Sequence, residues 1–326
     1  MTASRMRVLV ARELEYFARF VKVPPDVAID WLAGDQRTPS GDYRGIVPLL
    51  SRRIDAAVFD RLPQLRVIAN CAVGVDNIDL EAARARGVAV SNTPDVLTEC
   101  TADLTWALIL AVCRRLQEGE TLVRGGGWTG WNPTQLLGLE LRGRRLGILG
   151  AGRIGRAVGR RAVPFGLDVL YWSRSPQPEW ERETGAHRIE SLPELLDRSD
   201  IASLHLPLTP ETHRLIGRKE LDLLGAESVL VNTARGEIVD EVALCDALES
   251  RALWGAGLDV FEREPQVPER LRRLPNVVLL PHLGSATEET RRRMFELAWQ
   301  NLLRGLRGQP LVTPVSGAAG GDPAGG

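Results

Sequence analysis

The stretch LGILGAGRIG, residues 146–155, joins an apolar run to a Gly-x-Gly-x-x-Gly pattern at Gly150, Gly152 and Gly155. The apolar run predicts a strand, and a helical segment and a second strand follow the glycines. In such a unit the first glycine permits a tight turn, the second lets the backbone approach a pyrophosphate, and the third allows close packing of helix on strand. The free N–H groups of the helix N-terminus bind phosphate. The stretch therefore predicts a dinucleotide site formed by Gly150, Gly152, Arg153, Ile154 and Gly155.

The type of dinucleotide depends on the residues that end the second strand of this unit, Asp168 to Trp172. An NAD-preferring site usually has Asp or Glu there, which accepts hydrogen bonds from the ribose 2′-hydroxyl. This sequence has Ser173, Arg174 and Ser175 instead. An arginine and two hydroxyls suit a 2′-phosphate. We therefore predict that these three residues bind the cofactor and that NADP(H) is preferred. NAD(H) stays possible if Arg174 is only a solvated loop residue.

Strands and helices alternate over most of the chain, as in parallel sheets built from βαβ units. Before the glycine pattern, short apolar segments predict strands at 7–10, 45–50, 56–59, 66–69 and 88–91. From the pattern onward, they predict strands at 146–149, 168–172, 201–206, 228–232, 255–260 and 277–280. One long helix is predicted over 95–122 and a final helix over 286–307. The tail 317–326 is rich in Gly, Ala and Pro and is predicted to be disordered.

Charge and composition exclude several classes of protein. The 41 basic and 42 acidic residues give a net charge of −1, so nothing draws the whole chain to nucleic acid or to an anionic membrane. The longest apolar run, Trp106 to Cys113, is far shorter than the roughly 20 residues that span a bilayer. The cysteines, which lack metal-ligand spacing, are Cys71, Cys100, Cys113 and Cys245. We expect a cytoplasmic protein with reduced thiols, no metal, no nucleic-acid partner and no membrane segment.

Three polar segments follow predicted strand ends in the second half of the chain. They are Asn232-Thr233-Ala234-Arg235-Gly236, then Leu258-Asp259 through Glu264-Pro265, then Pro281-His282 through Thr287. Because the carboxyl ends of parallel strands lie at one edge of a sheet, these segments should converge. Hydride exchange between a 2-hydroxy acid and a nicotinamide needs a cation for the carboxylate, which suits Arg235, and a proton donor and acceptor, which suits His282. Glu264 would pair with the imidazole, and Asp259 would bind the nicotinamide carboxamide.

These segments resemble the signatures of the D-isomer-specific 2-hydroxyacid dehydrogenases, which run Asn-Thr-Ala-Arg-Gly, then Gly-Leu-Asp-Val-Phe with Glu-Pro, then Pro-His-x-Gly-Ser-Ala-Thr. The resemblance extends from about residue 49 through residue 307. It implies that Arg235 binds substrate, that Glu264 is the partner of the histidine, and that His282 is the acid and base. It also implies an oxidoreductase that acts on a small 2-oxo or 2-hydroxy acid.

The same resemblance implies further site residues. Backbone N–H groups of the loop at residues 72–76 would bind the substrate carboxylate, through Val73 and Gly74, although this loop could also be a simple turn. Ser285 is implied at the substrate. The remaining residues implied at the cofactor are Thr101, Pro207, Thr233, Ala234 and Asp259. The histidines that match no catalytic position, and for which we expect structural or surface roles, are His187, His205 and His213.

Within that family, the segments 92–98, 113–116 and 126–131 are most similar to those of glyoxylate/hydroxypyruvate reductases. In those enzymes, the tryptophan that matches Trp131 reaches across a dimer interface into the neighbouring subunit's substrate site. The resemblance therefore implies a homodimer with Trp131 near the substrate. An exposed aromatic on a glycine-rich loop could instead pack within its own subunit.

The implied fold is α/β with two doubly wound parallel-sheet domains, in which a Rossmann-type nucleotide-binding domain is inserted in a flavodoxin-like substrate domain. Residues 1–96 and 285–316 would form the substrate (catalytic) domain, and residues 97–284 the dinucleotide-binding domain. The expected function is NADP(H)-dependent reduction of small 2-oxo acids such as glyoxylate and hydroxypyruvate. Two alternatives stay open: an NAD-dependent D-2-hydroxyacid or phosphoglycerate dehydrogenase, and a nucleotide-sensing protein like the transcriptional co-repressors that share this fold.

Overall fold

The computed structural model of the chain describes residues 5–316. The chain divides into unit 1, made of Met1–Leu97 with Ala286–Gly326, and unit 2, made of Thr98–Ser285. The predicted domain boundaries lie one residue before these divisions. The tail 317–326, which the sequence predicts to be disordered, lies outside the described residues.

Within residues 5–316, each unit contains one parallel β-sheet. The described strands of unit 1 are β1 (Met6–Ala11), β2 (Val27–Leu32), β3 (Gly45–Val47), β4 (Val67–Ala69) and β5 (Ala89–Ser91). Those of unit 2 are β6 (Arg145–Leu149), β7 (Asp168–Trp172), β8 (His187–Arg188), β9 (Ile201–Leu204), β10 (Val229–Asn232), β11 (Gly255–Leu258) and β12 (Val277–Leu279). The strand orders are β2-β1-β3-β4-β5 and β12-β11-β10-β9-β6-β7-β8. The first is the flavodoxin-like order and the second extends the Rossmann order by one strand, so the predicted α/β fold is confirmed.

Helices connect the strands and cover the sheets. The described α-helices of unit 1 are α1 (Ala56–Arg61) and α2 (Leu80–Ala85), and those of unit 2 are α3 (Thr98–Cys113), α4 (Leu116–Arg124), α5 (Arg153–Ala162), α6 (Pro178–Thr184), α7 (Leu192–Asp197), α8 (Arg218–Leu224), α9 (Glu241–Glu249) and α10 (Glu269–Arg273). The chain returns to unit 1 with α11 (Glu288–Leu306), which confirms the predicted final helix. Thr287 caps α11, since its side chain accepts the N–H of Thr290.

The sheet of unit 1 is covered on both faces, as the alternation along β1 shows. Val8 and Val10 pack in one cluster with Phe295 of α11, whereas Leu9 packs in another with Phe59 of α1. Successive side chains of a strand point to opposite faces, so a strand buried on both sides needs an unbroken apolar run.

The sheet of unit 2 is built in the same way and places the candidate site. Ile148 of β6 packs with Val158 of α5, and Leu149 packs on the opposite face with Leu196 of α7. From β6 the chain continues through β7 and β8 to one side, and then returns to β9 on the other side. At such a reversal of strand order, ligands bind at the carboxyl ends of the strands.

Two local predictions are wrong. Residues 56–59 begin α1 rather than a strand, because the side chain of Asp55 accepts the N–H of Val58 and caps a helix. The helix predicted over 95–122 is two helices, α3 and α4. It is interrupted because Arg115 adopts the left-handed backbone conformation, with a φ of 52°.

Candidate active site

The turn after β6 contains three glycines, and the chain around them leaves room for a side chain at only one. Gly150 has a φ of 98°, which residues with a side chain rarely adopt, and a Cβ there would lie 2.7 Å from the carbonyl oxygen of His205. A Cβ on Gly155 would lie 2.1 Å from the carbonyl oxygen of Gly150. A Cβ on Gly152 would meet no atom of the described chain within 4 Å. The turn is therefore tightly packed at Gly150 and Gly155 and open at Gly152.

The open side of this turn coincides with the N-terminus of α5, since Gly152 precedes the helix. Gly152, the residue before the helix, has no side chain with which to cap this end, and the N-terminus of a helix attracts anions through its N–H groups and its dipole. A pyrophosphate fits this cradle, because it would use the N–H groups and the space that a Cβ at Gly152 would fill. Arg153 and Ile154 begin the helix beside it.

The segment after β7 carries the residues predicted to set cofactor preference. Ser173 Oγ donates to the carbonyl oxygen of Ser175 at 2.6 Å, which closes a tight turn. Arg174 is exposed, and no ion pair within the described part of the chain involves it. The turn therefore presents a guanidinium and hydroxyls, without a carboxylate, where a Rossmann fold contacts the adenosine ribose.

His282 and Glu264 form a hydrogen-bonded pair after β12 and β11. Nδ1 of His282 lies 2.8 Å from Oε2 of Glu264, and the N–H of Phe261 donates to Oε1 at 3.1 Å. Burial raises the pKa of Glu264, but the bond and charge of His282, the Phe261 N–H and the charge of Arg235 outweigh burial and lower the pKa below its usual value. Glu264 is therefore ionised at neutral pH, and its bond to Nδ1 leaves Nε2 as the nitrogen for proton exchange.

The buried carboxylate of Asp259 fixes the loop that carries His282. Its Oδ1 accepts the N–H of Leu283 at 2.6 Å and its Oδ2 accepts the N–H of Gly284 at 2.8 Å. The N–H of His282 donates to the carbonyl oxygen of Asp259 at 2.9 Å, and Thr101 Oγ1 donates to that of Gly284 at 3.0 Å. Burial raises the pKa of Asp259 despite these donors. Together these bonds hold His282 in a left-handed conformation, with a φ of 55°, which is uncommon outside glycine.

The loop after β10 packs directly against the loop after β11. A Cβ on Gly236 would lie 1.9 Å from the carbonyl carbon of Phe261, so only glycine allows this approach. The buried side chain of Asn232 accepts a backbone N–H within the turn at 3.0 Å and donates to the carbonyl oxygen of Arg235 at 2.8 Å. Arg235 therefore projects from a rigid turn within electrostatic reach of Glu264, whose pKa it lowers.

The other residues predicted at the cofactor lie on loops at the same edge of the sheet of unit 2. Thr233 and Ala234 follow β10, and Oγ1 of Thr233 lies 2.9 Å from Oγ1 of Thr105 on α3. Pro207 follows β9, and its carbonyl oxygen accepts the hydroxyl of Thr212 at 2.7 Å. The edge that carries the glycine turn therefore also carries these loops.

A cavity of about 310 Å³ adjoins the pair formed by His282 and Glu264. Apart from this pair and Arg272, its walls are mostly apolar and include Phe261, Pro265, Val267, Leu279 and Pro281. Hydrogen bonds are electrostatically stronger beside apolar walls than in water, so the cavity favours a well-defined geometry of the pair.

In unit 1, the loop at residues 72–76 has an arrangement suited to anion binding. The carbonyl oxygen of Val73 accepts a hydrogen bond from Asn92 at 2.8 Å, and that of Gly74 accepts one from the buried Asn70 at 2.8 Å. No acceptor among residues 5–316 takes the N–H of Val73 or of Gly74. The loop thus holds its carbonyls inside the protein and keeps two donors for a ligand.

Trp131 lies after α4 and is 82% exposed. Trp128 in the same segment is 54% exposed. In the single chain, so exposed an indole has little contact with its own subunit. Ser285, the last residue of unit 2, is half-buried.

Burial lowers the pKa of His205 to about 3, so its ring is neutral, and Nε2 lies 2.9 Å from Ser203 Oγ.

No disulfide bond joins any of the four cysteines, all of which lie in the described part of the chain. Residues 5–316 contain no cluster of three or more His, Cys, Asp or Glu side chains that could hold a metal ion. Across the same residues, no helix combines the length and the apolar character that crossing a bilayer requires.

The residues that sequence reasoning missed are those that orient the site from beneath. Sequence pattern alone assigns no role to Asn232 or Asn70, yet both are buried and hold the turns that present Arg235 and Gly74. The signal available in the sequence is a short polar residue directly after an apolar strand, where burial forces its side chain to bond to the adjoining loop.

The nicotinamide-nucleotide interpretation of the site agrees with a family comparison. Residues 106–284 match the model of the D-isomer specific 2-hydroxyacid dehydrogenase, NAD binding domain. This segment contains the glycine turn and the pair formed by Glu264 and His282. The match covers more than half of the chain, and it identifies the domain as one that binds a nicotinamide cofactor.

Named relatives and solved structures extend the similarity over most of the chain. The glyoxylate reductase of Aeropyrum pernix is 51% identical over 266 residues, which is 80% of this chain and 79% of that protein. The glyoxylate reductase of Thermococcus litoralis is 48% identical over 268 residues, 81% of each chain. The NADPH-dependent glyoxylate/hydroxypyruvate reductase of Sinorhizobium meliloti, solved with NADP and malonate, is 36% identical with a TM-score of 0.88, covering 98% of this chain and 100% of that one.

Proposed function

The chain belongs to the D-isomer specific 2-hydroxyacid dehydrogenase family, and we propose that it reduces glyoxylate and hydroxypyruvate to 2-hydroxy acids with NADP(H). As a member of that family, it is an oxidoreductase with 2-hydroxyacid dehydrogenase activity. The names of its relatives support the finer assignment, since those from Aeropyrum pernix and Thermococcus litoralis are glyoxylate reductases. The Sinorhizobium meliloti enzyme is described as NADPH-dependent and acting on glyoxylate and hydroxypyruvate.

The observation that carries the proposal is the 2.8 Å bond between His282 and Glu264. An ionised carboxylate on Nδ1 stabilises the imidazolium and directs Nε2 to the reacting oxygen. The chemistry that a bound nicotinamide supplies is hydride exchange with the carbon that bears this oxygen. His282 donates a proton to the oxygen in reduction and accepts one in oxidation. Arg235 binds the substrate carboxylate through its planar guanidinium.

The residues that would hold the cofactor all lie in unit 2, on helices α3 and α5 and on loops at the carboxyl edge of its sheet. The pyrophosphate would bind at Gly150, Gly152, Arg153, Ile154 and Gly155. The other predicted cofactor residues are Thr101, Ser173, Arg174, Ser175, Pro207, Thr233, Ala234 and Asp259. Asp259 would act through the loop that it holds, because its side chain is fully buried and both of its oxygens accept N–H groups of that loop.

We propose that Arg174 makes NADP(H) the preferred cofactor, because its exposed guanidinium can bind a 2′-phosphate. The substitution Arg174→Ala should weaken NADPH about tenfold and leave NADH nearly unchanged. The matched control is Arg182→Ala, which removes another exposed arginine from the following helix. Equal small effects of Arg174→Ala on both cofactors would remove this assignment.

Substrate binding would involve further groups in each unit. We propose that the N–H groups of Val73 and Gly74 bind the substrate carboxylate, since their carbonyls are already held by asparagines. Ser285 is proposed as a polar contact of the substrate. Trp131 is proposed to contact the substrate site of a second subunit in a homodimer, which accounts for its exposure in a single chain. We also propose a cytoplasmic location, in which the four cysteines would stay reduced.

Initial rates of the purified protein test the proposal. NADPH and NADH are each supplied with glyoxylate, hydroxypyruvate and pyruvate, and oxidation of the cofactor is followed. NADPH with glyoxylate or hydroxypyruvate should be the best pair, by about tenfold or more over NADH. A preference for NADH would contradict the cofactor assignment, and the highest rate with pyruvate would contradict the substrate assignment. No turnover with any of these acids would favour a sensing protein.

A further inference from the structure

The segment that follows β7, residues 173–177, is held by several hydrogen bonds, and we name it the 173–177 turn. The carbonyl oxygen of Ser175 accepts the Ser173 hydroxyl at 2.6 Å and the Gln177 amide at 3.4 Å. The backbone N–H of Gln177 donates to Tyr171 Oη at 2.8 Å. Burial, together with the hydrogen bond to Glu181, raises the pKa of Tyr171 to about 12, so this hydroxyl stays neutral.

Two arginines hold the turn from its two sides. Arg156 of α5 donates to the side-chain oxygen of Gln177 at 2.5 Å. Arg188 of β8 donates from Nη2 to the carbonyl oxygen of Ser173 at 3.2 Å. Arg188 pairs with Tyr171 in the register of β8 and β7, so the sheet itself places this guanidinium beside the end of β7.

The guanidinium of Arg188 has bonding capacity that the chain does not use. Its side chain is 25% exposed, and Nη1 pairs at 2.9 Å with Oε1 of Glu190, whose side chain is 78% exposed. Its Nε is buried and has no hydrogen-bond partner among residues 5–316. An exposed carboxylate binds a guanidinium weakly, whereas a buried donor without an acceptor is costly. Because Nε is buried, an incoming anion would meet Nη1, where it would compete only with the weakly bound carboxylate of Glu190.

We propose that Arg188 is a second specificity-determining residue of the subsite for the adenosine 2′-phosphate. It would act with Arg174 directly on the phosphate. This inference rests on the proposed preference for NADP(H). A phosphate carries the acceptor oxygens that Arg188 lacks, and guanidinium groups bind phosphate in two-pronged geometry. The phosphate would replace Glu190 as the partner of Nη1.

A role of Arg188 at the phosphate and a role in supporting the fold predict different effects on nucleotide binding. A supporting role through the carbonyl of Ser173 would affect every nucleotide that binds beside the turn. A role at the phosphate would affect only nucleotides that carry a 2′-phosphate. It also gives Glu190 a defined effect, because its carboxylate repels the phosphate and competes for Arg188.

The test is calorimetric binding of adenosine 2′,5′-bisphosphate and of adenosine 5′-monophosphate to the full-length protein. These probes differ only in the 2′-phosphate and need no turnover. Arg188→Gln should weaken the bisphosphate about tenfold and the monophosphate less than about twofold. Arg188→Lys should recover part of the loss, because it restores the charge. Glu190→Gln should tighten the bisphosphate alone. The control is Arg198→Gln, which removes an exposed arginine paired with Glu194 at 2.9 Å.

The outcomes distinguish this inference from the proposed function. If the wild-type protein binds both probes equally, the proposed NADP(H) preference is wrong. If the wild type prefers the bisphosphate but Arg188→Gln weakens both probes equally, the preference stands and Arg188 only supports the turn. If Arg188→Gln does not fold, as a thermal melt would reveal, Glu190→Gln decides. A tighter bisphosphate then supports the proposal, and unchanged binding overturns it.

Discussion

The turn at Gly150 to Gly155 and the loop at His282 lie at the same edge of one sheet, but different parts of the chain fix their shapes. The glycine turn is shaped by its own backbone and by two close approaches that exclude a Cβ. The His282 loop is shaped by a carboxylate and a hydroxyl from distant segments, Asp259 and Thr101. The first needs small residues at fixed spacing, whereas the second needs buried polar partners that only the folded chain supplies.

The largest effect should come from the tightly packed part of the glycine turn. Gly155→Ala places a Cβ 2.1 Å from the carbonyl oxygen of Gly150 and should lower the free energy of unfolding by about 3 kcal/mol, with loss of cofactor binding. Gly152→Ala is the matched control, since its Cβ meets open space. It should change stability by less than about 0.5 kcal/mol yet raise the Kd for NADPH about tenfold. Urea denaturation measures the free energy of unfolding, and fluorescence titration measures the Kd for NADPH. Equal losses of stability in the two variants would contradict the view that Gly155 is needed for packing and Gly152 for the cofactor.

The next effect concerns the carboxylate beneath the catalytic loop. Asp259→Asn replaces one acceptor oxygen by a donor that opposes the N–H of Leu283 or Gly284, and the buried mismatch should cost about 2 kcal/mol of stability. The displaced loop should also lower kcat about tenfold. Asp222→Asn, at an exposed position, is the control. Unchanged stability and kcat in Asp259→Asn would show that the loop holds its shape without this carboxylate.

A smaller effect, on the pH dependence of activity, should follow from Glu264→Gln. Protonation of Glu264 in acid removes the charge that is paired with His282, and Gln cannot be protonated, so the acidic limb of the kcat/KM profile for reduction should be weaker in the variant. Glu269→Gln, which changes an exposed ion pair with Arg273, should leave the profile in place. A Glu264→Gln profile identical to the wild type would leave Glu264 without the proposed coupling.

The smallest expected effect is on stability and also concerns Glu264. The pKa of Glu264 is lower in the folded protein than in the unfolded chain, where it is about 4.3. The ionised carboxylate therefore stabilises the fold fully above the unfolded pKa, and this contribution is lost as pH falls through the pKa of the folded protein. Because the side chain is 31% exposed, the contribution should be under about 1 kcal/mol. The unfolding free energies of wild type and Glu264→Gln should differ at neutral pH and converge in acid. A difference that persists in acid would point to another cause.

The contrast between the two regions also explains what the sequence could predict. Apolar runs such as Val8 to Val10 and the glycine spacing predict the parallel sheets and the turn, because these depend on local pattern. The two-residue strand β8 and the edge strand β2 were not predicted. In β2 the carboxylate of Asp30 interrupts the apolar pattern and pairs with Arg7 at 2.6 Å, a contact between segments distant in sequence.

Within the site, the sequence indicated which residue types carry the chemistry but not what holds them. The bond between Glu264 and His282 is expected from their residue types once strand ends converge. That both oxygens of Asp259 bind the His282 loop could not be expected. The sequence pattern is the same whether this carboxylate binds a carboxamide or anchors a loop. The break at Arg115 was likewise hidden, because an arginine in the left-handed conformation has no local signal.

The most direct test measures cofactor binding and chemistry separately in His282→Asn. The account predicts that the Kd for NADPH stays within about twofold of the wild type, because the glycine turn forms independently of the imidazole. The single-turnover rate of glyoxylate reduction should fall by about 100-fold or more. A rate near that of the wild type would contradict the assignment of His282 as the acid, and an equal loss of binding and rate would contradict the independence of the two regions.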